Sequence, residues 1–264
     1  MAAGLGSDSL TATSGTSSRP LFSIVTVCRN AERSIGMTIE SVLRQPESAG
    51  RIEHLVIDGL STDGTLRVLA QYPHLRVVSE PDAGIYDAMN KGIARASGEY
   101  IGILNADDWY EPNALAEVAE AFRVSPEAGI VHGDVRRWSG TTLVDVVKPS
   151  LDLGFHGTLV MPINHPASFV RREVFSRFGA FDVSYRIFAD YDWVRRLIKA
   201  GVVLRYVPAV LTNFRFGGVS TMQFAVRERY RVFRANGASA LSACTTVAYS
   251  CGVVLRNRFR RGGP

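Results

Sequence analysis

The chain has 264 residues, of which 46% are hydrophobic and 21% charged, values ordinary for a globular protein and sufficient for one large domain with a real core. Its 30 basic and 25 acidic residues leave a net charge of +5, and only Lys91, Lys148 and Lys199 among the basic residues are lysines. The basic surplus gathers toward the C-terminus, which argues for an anionic surface near the tail and against nucleic acid along the whole chain.

Residues 1–20 are rich in Ser, Thr, Gly and Ala and lack the apolar centre of a secretory signal, so they read as a disordered leader. Phe22–Cys28 is an apolar, β-rich run. Residues 34–45 carry Ile35, Ile39, Val42 and Leu43 on one helical face. Strands are expected at 52–57, 75–79 and 100–104, and helices at 65–71, 86–96 and 113–124, with Pro112 suited to the first helical position. Alternation of this kind predicts a mostly parallel, Rossmann-like α/β sheet with helices on both faces. The second half is less regular. It holds strands at 130–136, 142–147 and 202–207, a short helix at 173–178, a longer one at 191–200 ended by Gly201, and a basic helix at 224–236.

Three cysteines, Cys28, Cys244 and Cys251, make neither a disulfide framework nor a zinc set and point to a reduced, cytoplasmic setting. Cys28 reads as a small core residue rather than a nucleophile. No strongly apolar run reaches the length of about 18 residues that a membrane-spanning helix needs.

The most informative segment is 98–111. There the apolar run ending at Leu104 gives way to two adjacent carboxylates, Asp107 and Asp108. In open α/β sheets ligands sit beyond the carboxyl ends of the strands. Neighbouring carboxylates repel unless a cation or hydrogen-bonding ligand lies between them, so a divalent metal carrying a phosphate ester is the economical occupant. A strand closing in a polar turn is the alternative. Residues 56–65 place Asp58 at a strand end before a small loop, and Thr62 or Asp63 as the cap of the next helix. A carboxylate at the position of Asp58 can accept hydrogen bonds from a base or ribose. Residues 80–92 run from a loop into a helix, where the helix N-terminus and Lys91 could meet a diphosphate, or where Lys91 is simply solvated. Two further candidates are His165, within Asn164-His165-Pro166, and the acids Asp190 and Asp192 at a helix start, where negative charge also suits the helix dipole.

Taken in order, these five motifs resemble the family 2 glycosyltransferases of the GT-A fold over about residues 21–217. The resemblance divides the chain into a leader (1–20), a catalytic domain with a nucleotide-binding half (21–125) and an acceptor half (126–217), and a basic helical tail (218–264). It implies an inverting enzyme that moves a sugar from a nucleotide-diphosphate donor to a hydroxyl of a glycan or lipid-linked acceptor. The Asp82-x-Gly84-Ile85-Tyr86-Asp87-Ala88-Met89-Asn90-x-Gly92 string is similar to a bacterial subgroup that builds surface polysaccharides and glycolipids. By the resemblance, Asn30 lies in the first binding loop, Asp58 holds the base, Asp108 holds Mg²⁺ or Mn²⁺, and Asp107 sits by the ribose or shares the metal. Asp190 is the general base, and His165, Asp192 and Trp193 lie toward the acceptor. The chain departs from the family pattern at Asn105, the usual first Asp of the metal motif, at Ala189, the usual first acid of the acidic pair, and at Arg29, where an aromatic is common.

Two other classes remain. A sugar nucleotidyltransferase is expected to carry a Gly-rich phosphate loop after the first strand, which Arg29-Asn30-Ala31-Glu32 is not. A non-catalytic sugar-nucleotide or glycan-binding protein would be favoured by loss of the Asp190-type base. The tail has two readings as well. Arg227, Arg229, Arg231 and Arg234 alternate with Phe224, Val226, Tyr230 and Phe233, and Arg256, Arg258, Arg260 and Arg261 follow a modestly apolar stretch at 238–255. The tail either packs on the catalytic domain or makes a peripheral contact with an anionic membrane at the inner face.

Overall fold

β1 (Phe22–Cys28) is buried along its whole length, as an apolar run without alternation requires when both faces of a parallel sheet are covered. Its side chains divide between two layers: Phe22 and Ile24 pack toward α4 (Ala114–Val124), and Val25 and Val27 toward α3 (Ile85–Arg95). This computed structural model describes residues 19–150, 161–216, 226–245 and 247–248. The remaining elements are α1 (Ile35–Leu43), β2 (Ile52–Asp58), α2 (Thr65–Leu69), β3 (Arg76–Ser79), β4 (Tyr100–Asn105), β5 (Trp109–Tyr110), β6 (Ile130–Ser139), β7 (Thr142–Val147), β8 (Ser168–Arg171), α5 (Arg172–Phe178), α6 (Ala189–Lys199), β9 (Leu204–Arg215) and α7 (Val226–Ala235). The expectations for most of the leader, for Cys251, for Phe224 and for Arg256 to Arg261 fall outside the described residues.

One sheet runs in the order β3-β2-β1-β4-β8-β6-β9-β5, with β7 on β6. Its first four strands are parallel, and the chain reverses its direction of travel across the sheet between β1 and β4. Register aligns Cys28 with Asp58 and Val27 with Asn105, so the loops after β1, β2 and β4 share one edge. That edge is where a topological switch opens a ligand crevice. Beyond β4 the sheet is mixed: β8 is antiparallel to both β4 and β6, and β9 is parallel to β6.

The parallel half matches the sequence expectation closely, and the differences have local causes. On α1 the buried positions are Ile35, Thr38, Ile39 and Val42, while Leu43 is 57% exposed. α2 begins at Thr65, later than Thr62 or Asp63, and Asp63 accepts the Thr65 N–H at 2.9 Å. Asn113 in the left-handed conformation (φ 67°) is the N-cap of α4, so Pro112 precedes the helix instead of opening it. Gly201, with φ 76°, follows α6 as expected. β9 continues through Pro208 to Arg215, where a strand ending at 207 was expected. Residues 207–209 bulge opposite Gly133 of β6, and the bulge leaves Pro208 without a ladder donor to supply. β5 and β8 are too short for a periodic signal.

α3 lies close on β1 and β2 because Gly92 faces them: a Cβ there would stand 2.2 Å from Val25 Cγ1 and 3.3 Å from Ile57 Cγ1. In a solvent-facing helix Gly→Ala gains roughly 1 kcal/mol, whereas overpacking a core contact costs about 1–3 kcal/mol. Gly92→Ala is therefore expected to destabilise the fold, by up to about 2 kcal/mol. The measurement is a lower urea midpoint at unchanged m-value.

Candidate active site

At the shared edge of the sheet, Asp58 is fully buried. Its carboxylate accepts the Ser61 N–H at 3.1 Å, the Ser61 hydroxyl, and the Ser79 hydroxyl at 2.7 Å. Asn30, also left-handed (φ 53°), donates its N–H to Ser61 Oγ at 2.8 Å and accepts the Thr62 N–H at 2.8 Å. The two loops are thus latched together around Asp58. Between them Leu60 stands at φ 58° with half its surface exposed, a left-handed conformation that a branched side chain rarely holds. Cys28 is buried behind Asp58, and burial together with that carboxylate pushes its thiol pKa far up, so it is no nucleophile.

The carboxylate pair follows β4. Asp108 is fully buried; Oδ1 accepts the Arg215 N–H at 3.0 Å and Oδ2 the Asn105 amide at 3.1 Å. Thr38 of α1 donates its hydroxyl to the Asp108 carbonyl at 2.7 Å. Burial first, then the charge of Asp107, pushes the Asp108 pKa up to about 8. Asp107 is only partly buried, and its pKa is raised by desolvation against the pull of Arg215. Asp108 has both oxygens engaged below the surface, and Asp107 is the more exposed carboxylate of the pair. A divalent cation fits here, because it would offset the desolvation that raises both pKa values and the Asp107 charge that raises that of Asp108, and hard cations take oxygen donors. Among the described residues no group of three or more His, Cys, Asp or Glu side chains could hold such an ion.

Lys91 is already engaged by neighbouring acids. It lies 3.1 Å from Asp87 and 3.7 Å from Glu80 and donates to the Pro81 carbonyl at 2.5 Å. The start of α3 is itself covered by acids: Asp82 accepts the Gly84 N–H and Asp87 the Ala83 N–H, each at 2.9 Å.

Tyr86, in the first turn of α3, carries the edge of the sheet across to α6. Its hydroxyl lies 2.7 Å from the Ile187 carbonyl and 3.0 Å from Asp190 Oδ1. That oxygen also accepts the Tyr191 N–H at 2.8 Å, and Oδ2 has no partner among the described residues. Burial and the Asp190 charge raise the Tyr86 pKa, so Tyr86 stays a protonated donor. His165 shares with Asp190 the wall of a cavity of about 20 Å³, room for roughly one water and far too small for a sugar. Burial lowers the His165 pKa, and its Nε2 is buried without a partner, so it is a neutral imidazole at pH 7. Asp192 and Trp193 are buried. Asp192 pairs with Arg196 at 2.8 Å and accepts the Asn236 amide at 3.1 Å. Trp193 is 3% exposed, stacks on Phe175 and donates to the Gly179 carbonyl at 2.9 Å.

Residues 23–178 match the family model described as Glycosyl transferase family 2. The chain belongs to glycosyltransferase family 2. A PGL/p-HBAD biosynthesis glycosyltransferase of Mycobacterium tuberculosis is 32% identical over 215 residues, covering 76% of this chain and 79% of its own. Two solved structures share the GT-A arrangement. S. aureus TarS 1-349 in complex with UDP-GlcNAc has a TM-score of 0.64 at 16% identity, covering 87% of this chain and 71% of that one. The mannosyltransferase PcManGT of Pyrobaculum calidifontis, in complex with GDP-Man and Mn2+, has a TM-score of 0.62 at 18% identity, covering 94% and 77%.

In this family 2 glycosyltransferase three contributors to the site escape a reading of sequence alone. Thr38 sits where helical periodicity asks only for a buried residue. Arg215 reaches Asp108 across 107 positions and lays its guanidinium 5.4 Å from the Trp109 ring centre. Tyr86 stands within the 80–92 motif, but only the fold brings it to Asp190.

Asp108 loses its proton near its ordinary value of 3.8 when unfolded and near 8 when folded. Between those values the folded chain holds the extra proton, so this group destabilises the fold progressively as pH rises from about 4 to about 8. Asp108→Asn removes that penalty, and its new amide can donate to Asn105 Oδ1, which is buried without a partner. The metal-free variant should melt close to wild type at pH 4 and several degrees higher at pH 8 by calorimetry. A difference that does not vary with pH would refute this.

Proposed function

We propose that this glycosyltransferase moves a sugar from a nucleotide-diphosphate donor to a hydroxyl of a glycan or glycolipid acceptor, with inversion at the anomeric carbon. The observation that carries the reading is Asp190: one carboxylate oxygen is pinned by Tyr86 and the Tyr191 N–H, and the other is free to take a proton. The acceptor oxygen attacks the anomeric carbon as the bond from that carbon to the donor phosphate breaks, the hydroxyl proton passes to Asp190 Oδ2, and the nucleoside diphosphate leaves. Asp58 and the latched loops around Asn30 form the base end of the donor site, and Asp107 faces the diphosphate. Mg²⁺ or Mn²⁺ held by Asp107 and the donor phosphates would neutralise charge on the leaving group. Asp108 tunes Asp107 from beneath, and Arg215 adds positive charge on the same side.

The complexes named for TarS (UDP-GlcNAc) and PcManGT (GDP-Man, Mn2+) support a nucleotide-sugar donor with a cation. The mycobacterial relative's name supports an acceptor of the glycolipid kind. Among the described residues no helix is long and apolar enough to cross a membrane. Arg229 and Arg231 of α7 are turned onto Phe188 and Tyr185, at 4.9 and 4.3 Å. Arg227 and Arg234 of the same helix remain exposed, so we assign any contact with an anionic membrane at the inner face to them together with the basic residues after position 248.

Two results are expected. In calorimetry with UDP-GlcNAc and GDP-mannose, Mn²⁺ should strengthen binding of the preferred donor. Asp107→Ala should abolish that gain, whereas Asp190→Asn should keep it and lose at least about 100-fold in turnover. Equal loss of donor affinity in Asp190→Asn would make Asp190 a binding residue. Separately, NMR of the transferred sugar should show the anomeric configuration opposite to that of the donor, since one base without a second nucleophile allows a single in-line displacement. Retention of configuration would end this mechanism.

A further inference from the structure

We propose that Glu228, on helix α7 beyond the catalytic domain, is a positioning residue for Asp190. The inference rests on the reading of Asp190 as general base. The segment that delivers Asp190 runs through Arg186, Ile187 and Phe188 into α6, and α6 has no side-chain cap of its own. Glu228 instead holds the backbone that leads into it, from about 40 positions away. Its Oε2 accepts the Arg186 N–H at 3.0 Å, and its Oε1 accepts the Ile187 and Phe188 N–H groups at 2.7 and 2.8 Å. The N–H groups of the N-cap Phe188 and of the two residues before it thus meet one carboxylate, an arrangement that its charge favours.

Ile187 is held from both sides. Its N–H goes to Glu228 and its carbonyl accepts from Tyr86, the same tyrosine that meets Asp190 three residues further on. The rest of α7 faces the same segment. Arg231 donates to the Ser184 carbonyl at 2.7 Å, Phe233 packs edge-on against Tyr191, and Asn236 donates to Asp192. Val232 and Phe233 are buried beneath these contacts, so α7 is seated on the domain. The two-sided hold on Ile187 sets the direction in which Asp190 Oδ2 points. Without Glu228 the segment keeps its hydrophobic seat but loses the hydrogen bonds that orient it.

The test compares Glu228→Ala, Glu228→Gln and Glu228→Asp in the full-length chain, with Asp190→Asn alongside. Turnover is measured with whichever of UDP-GlcNAc and GDP-mannose binds better in Mn²⁺. In Glu228→Ala, kcat should fall about 10- to 100-fold while the donor KM stays within about twofold, because only the acceptor-side base is misaimed. Glu228→Asp should recover part of kcat. Hydrogen exchange should quicken at the amides of residues 186–188 and not in α3. Adding Glu228→Ala to Asp190→Asn should cost little more than Asp190→Asn alone. Wild-type kcat in a Glu228→Ala protein whose 186–188 amides exchange faster would reduce Glu228 to a structural support and overturn the proposal. Unchanged exchange would overturn it at the level of the contact. If Glu228→Ala does not fold, Glu228→Gln carries the same comparison. Full turnover by Asp190→Asn would instead strike the base assignment, an outcome distinguishable because the exchange measurement does not depend on it.

Discussion

Asp108 carries a carboxylate into a position with no solvent exposure, directly beside a second carboxylate, and much of the site is organised around that placement. A buried charge without partners is among the most unfavourable things a fold can contain. Asn105 and the Arg215 N–H answer it with hydrogen bonds, and Thr38 secures the same residue by its backbone. For Arg215 to arrive there, β9 must run its full length along β6 and turn onto β5, which places Asn213 opposite Trp109. The bulge at Pro208 is the local adjustment that lets one long strand do so. Desolvation also raises the pKa of the neighbouring Asp107, the less buried carboxylate of the two.

A second constraint acts at the other end of the site. Asp190 stands at the start of α6, away from the latched loops around Asp58. Tyr86 bridges this gap from α3, and Glu228 braces the incoming segment from α7. The catalytic domain and the first part of the tail are therefore one mechanical unit. Arginines that would suit a lipid surface are instead spent on aromatic rings of the domain at Tyr185 and Phe188.

The parallel half was readable because its signals are local. β1, β2 and β4 are short apolar runs, α1 and α3 have helical periodicity, and turns rich in Gly, Asp and Ser separate them. Asp58, Asp107 and Asp108 could be picked out because each closes such a strand. Asp190 was legible as an acid at a helix start. The roles were harder. The motif does not say which of two adjacent aspartates is the more exposed, since that depends on the turn after β4 and on who bonds to each oxygen. Nor does it say that Lys91 is engaged by Asp87 and Glu80. Asp192 and Trp193 share Asp190's helix, but successive helical residues point in different directions, and theirs point into the core.

The sequence by itself determined the family, the order of strands and helices in the nucleotide-binding half, and the short list of carboxylates from which the site is built. These follow from periodicity and from which residue types end a buried strand, both properties of a few neighbouring positions. Tertiary structure alone decided that Asp107 rather than Asp108 is the more exposed, that Arg215 and Thr38 join the metal motif, that Tyr86 holds Asp190, and that α7 lies against the domain through Glu228. The partners in several of these contacts are separated by 40 to 107 positions. Hydrogen-bond partnership and desolvation at such range are set by the packing of the whole chain, and no local pattern encodes them.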